Sequence, residues 1–423
     1  MNGRRQDPAS NADDVPTPSE RSQRGLDWLN FFVADVQTSF GPFVALYLTA
    51  QGWPEGRVGL ALTVGGLAAM ASQVPGGALV DAVRSKRALV AASLVLIAIG
   101  ALIFAFLPSF PFVLAAEVIH GSTGGVTGLA LTAIALGLVG HRALGLRLGR
   151  NRRYNSFGNA LTAGLMGLLG HFVSKRAPFL AAAALCAPAL FALTRIRGGE
   201  IDYARARSAP SQTKRKGNAP GGGHEEKPAH WLVLAKNHRL LVFAGCLVLF
   251  QFTSASLMPL VSERLARQHQ QSSELVTAAL VIVPQLVTAL IATWVAGRAD
   301  VWGRKPLLLA GFAMLPIRAV LFTVVPNPWY LLPIQALDGV TAAVLGILTP
   351  LVIADVMRGT GRYNFAQGAV GVASGIGAAV STTASGYLVQ TLGFTAGFFG
   401  LAGTGLAGLA FLWWFMPETR AAA

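Results

Sequence analysis

Ionisable side chains inside long apolar runs are the residues of this chain that could do chemistry. Asp35, Glu117, His120, Arg318 and Asp338 each interrupt an otherwise apolar stretch. A charged side chain at the centre of a bilayer costs at least about 2.5–3.5 kcal/mol, so each needs a partner or a function. A desolvated carboxylate can exchange a proton near neutral pH, and an imidazole titrates there already. These residues therefore predict a proton- or solute-binding site inside a membrane.

Two of the apolar runs carry matching polar faces at helical spacing. The faces consist of Glu117, His120, Gly121, Gly124 and Gly128, and of Gln335, Asp338, Gly339, Ala342 and Gly346. Glu117 and Gln335 thus occupy equivalent positions, as do His120 and Asp338. Asp35 and Glu117 could also be structural members of ion pairs, and His120 a packing residue. We interpret Arg318 as a counter-ion for one of the carboxylates.

Two asparagines in a further run add polar groups at helical spacing. Asn155 and Asn159 lie four residues apart, on one face of a helix. They are predicted to line the same path, although small polar residues more often join helices to one another.

Composition places these residues in a membrane protein. Of the 423 residues, 53% are apolar and 13% are charged, with a mean hydropathy of +0.53. Soluble domains carry about 25% charged residues, which argues against a soluble enzyme. The net charge of +15 comes from basic residues in short segments between apolar runs, so it indicates orientation and not nucleic-acid binding. No nucleotide loop, hydrolase triad or zinc spacing appears, and we predict no enzyme activity, cofactor or bound metal.

The apolar runs predict twelve membrane-spanning helices in two halves. The predicted organisation is a disordered tail (1–25), a six-helix half (26–196), a flexible linker (197–237), a second half (238–417) and a short tail (418–423). The predicted spans are 27–50, 56–80, 88–107, 111–140, 154–174, 177–196, 238–262, 274–297, 306–325, 328–356, 363–390 and 393–416. Most Lys and Arg residues fall in the tails, the linker and the loops on their side, which predicts that both termini are cytoplasmic.

An internal repeat relates the two halves. At nearly constant spacing, Asp81 corresponds to Asp300, and His120-Gly121 corresponds to Asp338-Gly339. Asp81 belongs to a loop segment with Gly77 and Arg84. The second segment contains Asp300, Gly303, Arg304 and Lys305. An aspartate at a helix end beside basic residues can join two helices through charge-assisted hydrogen bonds.

Both loop segments resemble the G-x-x-x-D-x-x-G-R-K/R signature of the major facilitator superfamily. The first copy departs from it with Arg84 and Ser85, and the second with Ala296 in place of the leading glycine. The resemblance covers residues 25–417. It implies a monomeric secondary transporter that works by alternating access, with spans one, four, seven and ten around a central cavity and the loop segments controlling its opening.

The fourth span suggests a branch of that superfamily. Proton-driven drug exporters usually carry R-x-x-Q-G there, and this chain has Glu117-Val-Ile-His120-Gly121. This departure weakens the resemblance to those exporters. A cavity with Asp35, Glu117 and Asp338 is net acidic, however, which favours protons or cationic solutes over anions. We therefore predict proton-coupled export of an amphipathic or cationic solute, such as a drug, siderophore or metabolite, across a bacterial inner membrane. The alternatives are uptake of a nutrient or iron chelate, a divalent metal-ion carrier, and a transporter-like sensor that moves nothing.

Overall fold

Helices form nearly all of the described chain. The computed structural model describes residues 18–38, 44, 47–209, 237–268, 273–324 and 328–420. Its shorter helices are α1 (Glu20–Thr38), α2 (Glu55–Ala82), α3 (Lys86–Phe106), α6 (Ala177–Arg195), α7 (His238–Gln268), α8 (Ser273–Trp302), α9 (Arg304–Val324) and α10 (Leu331–Val356). Two longer runs, Phe110–Phe172 and Tyr363–Phe415, are divided by Gly140 (φ 70°) and Gly393 (φ 84°). They provide α4 (110–139), α5 (141–172), α11 (363–392) and α12 (394–415).

These ten runs, two of them divided, make twelve helices in two sets of six, and the predicted fold class is confirmed. Within the described ranges, nine runs are long and apolar enough to cross a membrane, counting each divided run once. Helix α1 falls outside that set. Its charged residues, Glu20, Arg21, Arg24, Asp27 and Asp35, lower its hydropathy.

Two helices begin well before their predicted starts. Helix α1 begins at Glu20, inside the predicted tail, because Ser19 Oγ accepts a hydrogen bond from Ser22 N (3.3 Å) and caps the helix. Helix α5 begins at residue 141, so the predicted loop 141–153 is helical. Leu144 and Leu148 are buried one turn apart, and this packing extends the helix toward its N-terminus.

One end of the bundle holds Ser19, Glu418 and the first residues of the predicted linker, 197–209. Ser19 N donates to Glu200 Oε2 (3.0 Å), and Gly359 N, in the loop before α11, donates to Ser208 O (2.7 Å). Glu418 accepts from the first amides of α9. We call this end, with Ser19, residues 197–209 and Glu418, the termini face. Residues 197–209 were predicted as part of a flexible linker, and they pack here across both halves, while residues 210–236 lie outside the described residues.

The two halves meet near the termini face through glycines that allow close backbone approach. A Cβ on Gly368 of α11 would lie 2.1 Å from Gln73 O of α2. A Cβ on Gly149 of α5 would lie 2.4 Å from the Cβ of Ala296 in α8. Because only glycine fits at such contacts, α2 packs tightly on α11 and α5 on α8.

Candidate functional site

Glu117 lies between α4 and α2 with its carboxylate almost fully enclosed. Its exposed fraction is 6%, and a Cβ on Gly65 of α2 would lie only 2.0 Å from Glu117 Oε2. A Cβ on Gly121, one turn further along α4, would lie 2.3 Å from Gly65 O. Among the described residues, no basic side chain forms an ion pair with Glu117. The glycines therefore make room for a carboxylate that has no counter-ion in this part of the chain.

His120 lies one turn beyond Glu117 on α4 and is partly buried. The backbone of Asp35 belongs to α1, but its side chain lies outside the described residues. No three His, Cys, Asp or Glu side chains come together as metal ligands within the described ranges.

The equivalent position in the second half is an ion pair. Arg318 of α9 donates from Nη1 to Asp338 Oδ1 and from Nη2 to Gln335 Oε1 (3.0 Å), both on α10. The side chain of Arg318 is 2% exposed and that of Asp338 is 30% exposed. This geometry agrees with our interpretation of Arg318 as a counter-ion, and it assigns Asp338 and not Glu117 as the partner.

Arg152 is a residue of this region that the sequence analysis missed. It extends from α5 of the first half toward α10 of the second, where a Cβ on Gly346 would lie 2.9 Å from Arg152 Nε. The missed signal was its spacing, because Leu144, Leu148 and Arg152 recur every four residues on one face of α5. Interpreting residues 141–153 as a loop concealed that pattern.

The two predicted asparagines join α5 to α1. Asn159 Nδ2 donates to Asn155 Oδ1 (3.3 Å), and Asn155 Nδ2 donates to Asn30 O (3.5 Å). Nearby, Arg147 and Arg150 of α5 both bind the buried carboxylate of Asp27 in α1. These contacts favour the helix-joining role of Asn155 and Asn159 over contact with a solute.

The first loop segment joins the two halves. Asp81, 2% exposed at the end of α2, accepts hydrogen bonds from Phe365 N (2.8 Å) and Asn364 Nδ2 (2.8 Å) of α11. A Cβ on Gly77 would lie 2.3 Å from Asn364 O, so that position requires glycine. Lys86 Nζ donates to Val80 O and to Val83 O (2.6 Å), which ties α3 to the end of α2.

Arg84 and Ser85 do not disrupt this segment. Ser85 caps α3 by accepting from Ala88 N (3.3 Å). Among the described non-glycine residues, only Ser208 has a positive φ, so the loop at Arg84 follows a path that does not need the glycine of the signature. Lys86 provides the contacts to the preceding helix that Arg304 makes in the second copy.

The second loop segment stays within its own half. Arg304 Nη1 donates to Asp300 Oδ1 (2.9 Å) and Arg304 Nε to Asp355 Oδ2 (3.1 Å). Gly303 adopts a left-handed backbone (φ 91°), and Lys305 N donates to Glu418 Oε2 (3.0 Å). This segment therefore fastens α8, α9 and α10 to the C-terminal residues.

Two six-helix halves that close against each other at one face, with ionisable groups enclosed among their helices, define a two-half membrane transporter. A model of the family described as Major Facilitator Superfamily matches residues 27–273 and 243–423. The chain belongs to the major facilitator superfamily.

Known proteins of related sequence and structure agree with this assignment. The chain is 38% identical over 402 residues to uncharacterized MFS-type transporters of two Mycobacterium tuberculosis strains, with 94% of each chain covered. It is also similar in fold to the human organic anion transporter MFSD10 (TM-score 0.66, 18% identity, 93% of this chain and 98% of that one). The proton:xylose symporter XylE gives a TM-score of 0.69 at 14% identity, over 95% of this chain and 96% of that one.

Proposed function

We propose that the protein is a proton-coupled exporter of a small amphipathic solute, in which Glu117 takes up and releases the proton. The observation that carries the proposal is the enclosed carboxylate of Glu117, which no basic side chain among the described residues neutralises. An unpaired carboxylate inside a membrane protein is favoured in its protonated form, and enough hydration to ionise it requires a change in its surroundings. Alternation between two conformations supplies such a change.

The position of Arg152 changes the charge that we predict for the solute. The cationic option rested on three acidic residues, Asp35, Glu117 and Asp338. Arg318 was the one arginine predicted to face them. Arg152 is a second, so this region carries more positive charge than the sequence suggested. We therefore propose an amphipathic solute without a requirement for a positive charge. The Lys and Arg distribution supports the remaining parts of the proposal, a bacterial inner membrane with cytoplasmic termini. By family resemblance, the working unit is a monomer.

Everted membrane vesicles test the role of Glu117. Phenylbutyrate, phenylbutanol and phenylbutylamine share one skeleton and differ in charge, and a pH-sensitive dye reports the proton gradient. A solute that enters the vesicle in exchange for protons collapses the gradient, which is the signature of export. We expect the parent to respond to at least one of the three and Glu117→Gln to lose at least about 90% of that response, as for an essential proton carrier.

Glu20→Gln is the matched control, since Glu20 is exposed on α1 and forms a surface pair with Arg24. Full solute-dependent flux in Glu117→Gln contradicts the proposal. So does the absence of a response to all three solutes in vesicles that contain folded parent protein.

A further inference from the structure

Two arginines, Arg318 and Arg152, lie between the halves. Only Arg318 forms an ion pair with a described carboxylate. Arg318 uses one terminal nitrogen on Asp338 and the other on Gln335. Arg152 reaches α10 from the opposite half, where its Nε lies beside Gly346, and it forms no hydrogen bond with any described residue. A buried guanidinium nitrogen without a bonded partner is costly, so a group that completes its hydrogen bonds would be bound favourably.

The position of Arg152 is set by packing and not by pairing. Its Nε is buried against α10, at the point where Gly346 leaves room for it, while the residue as a whole keeps part of its surface accessible. Gly346 lies on the same face of α10 as Gln335 and Asp338. Because α5 belongs to one half and α10 to the other, Arg152 lies at the interface of the two halves, where transporters of this architecture bind their solutes.

We propose that Arg152 binds an oxyanion, a carboxylate or phosphate group of the transported solute, and this inference rests on the proposed function. A guanidinium is planar, stays charged and donates paired hydrogen bonds that match both groups. Asp338 and Arg318 neutralise each other, so the charge of Arg152 remains for the solute. Export of an anion is also favoured by a membrane potential that is negative inside.

The alternative is that Arg152 only holds the two halves together, through its packing on α10. That role predicts changes in stability or conformation that are the same for charged and neutral solutes. Binding of an oxyanion predicts a selective loss, limited to anions. The two roles are separated by comparing solutes that share a skeleton.

The experiment measures thermal stabilisation of the full chain, purified in lipid nanodiscs, by phenylbutyrate, phenyl phosphate, phenylbutanol and phenylbutylamine. We expect one or both of the anions to stabilise the parent, and which of them does so identifies the group. Arg152→Gln should weaken the binding of that anion at least about ten-fold. Arg152→Lys, which keeps the charge, should weaken its binding by clearly less. Gly346→Ala should also weaken it, because the new Cβ displaces the flexible end of Arg152 without removing its charge.

Two matched controls accompany these variants. Arg153→Gln changes the neighbouring arginine, which is exposed and lies over Phe157. Gly164→Ala adds a Cβ to α5 where no atom lies within 4 Å. Both should bind the anion as the parent does. Anion binding that is unchanged in Arg152→Gln overturns the inference, as does stabilisation by the amine alone or by none of the four solutes. In each case the response of Glu117→Gln in vesicles still decides the proposed function separately.

Discussion

At the scale of single residues, the two halves treat equivalent positions differently. Glu117 and Gln335 correspond by the internal repeat, and so do His120 and Asp338. Only the second half places an arginine, Arg318, on the neighbouring helix, and the first half has Gly100 at the corresponding position. The charge in the second half is therefore fixed in an ion pair. The carboxylate of the first half has no such ion pair among the described residues, and the proposed proton exchange rests on that difference.

A substitution at Gly65 tests whether the position of Glu117 matters as well as its charge. In Gly65→Ala the new Cβ overlaps Glu117 Oε2, and the carboxylate must move because the backbone of α4 is closely packed. We expect solute-dependent proton flux in everted vesicles to fall several-fold while the amount of folded protein stays the same. Alanine is otherwise the better helix former by about 1 kcal/mol.

The neighbouring variant Gly66→Ala is the control, since a Cβ there meets no atom within 4 Å. It should transport as well as the parent. Equal flux in Gly65→Ala and Gly66→Ala would show that the close fit around Glu117 has no part in coupling.

At the scale of helices, the C-terminal residues act as a cap for α9. Glu418 accepts hydrogen bonds from the amides of Arg304 (2.9 Å), Lys305 (3.0 Å), Thr419 (3.0 Å) and Arg420 (2.9 Å). Partial burial tends to raise the pKa of Glu418, but these four donors outweigh it and lower the pKa below its ordinary 4.5. The negative charge at the start of α9 also interacts favourably with the helix dipole.

This cap gives a stability that depends on pH. Because the pKa of Glu418 is lower in the folded protein, its contribution is fully present above pH 4.5 and is lost as the pH falls through the lowered value. We expect Glu418→Gln to lower the free energy of unfolding at neutral pH by up to about 1 kcal/mol, the usual contribution of a cap. The difference should vanish in strong acid. Thermal unfolding of both proteins across the pH range measures it, with Glu20→Gln as the exposed control.

The sequence could predict most helices but not the ends that depend on contacts with distant segments. Apolar runs of spanning length located the helices, and Gly393 divides α11 from α12 where the sequence predicted a break. The extension of α5 to residue 141 is stabilised by other helices, since Leu144 and Leu148 are buried and Asp27 of α1 binds Arg147 and Arg150. Residues 197–209 likewise have polar composition, and their order comes from hydrogen bonds to both halves.

At the scale of the whole molecule, the halves are joined at the termini face. Asp81 bonds to α11 across the interface, while Asp300 bonds to Arg304 within its own half. The repeat predicted two equivalent segments, and nothing in either segment shows which one crosses. That difference arises from the groups of the opposite half that face each aspartate. The amides at the start of α11 are available to Asp81, whereas α5 continues past Asp300 as an unbroken helix with Gly145 beside the carboxylate.

The asymmetry predicts which aspartate controls opening of the termini face. Asp81→Ala removes hydrogen bonds between a carboxylate and the opposite half, each worth about 1.5–3 kcal/mol. The equilibrium between the closed and open conformations should shift at least about ten-fold toward the one that is open at the termini face, since 1.4 kcal/mol corresponds to a factor of ten. Gln367 of α11 bonds to Thr132 of α4 across the same interface (3.0 Å). A cysteine placed there by Gln367→Cys reports opening through its rate of reaction with a maleimide.

Asp300→Ala is the internal comparison, because Asp300 is 40% exposed and its ion pair stays within one half. Its loss leaves Arg304 bonded to Asp355 (3.1 Å) and removes no hydrogen bond between the halves, so the labelling rate should change little. The two native cysteines are buried and give a low background. Faster labelling in Asp81→Ala alone would establish that the first segment holds the termini face closed. Equal labelling in both variants would mean that the glycine contacts of α2 with α11 and of α5 with α8 are sufficient to keep the halves together.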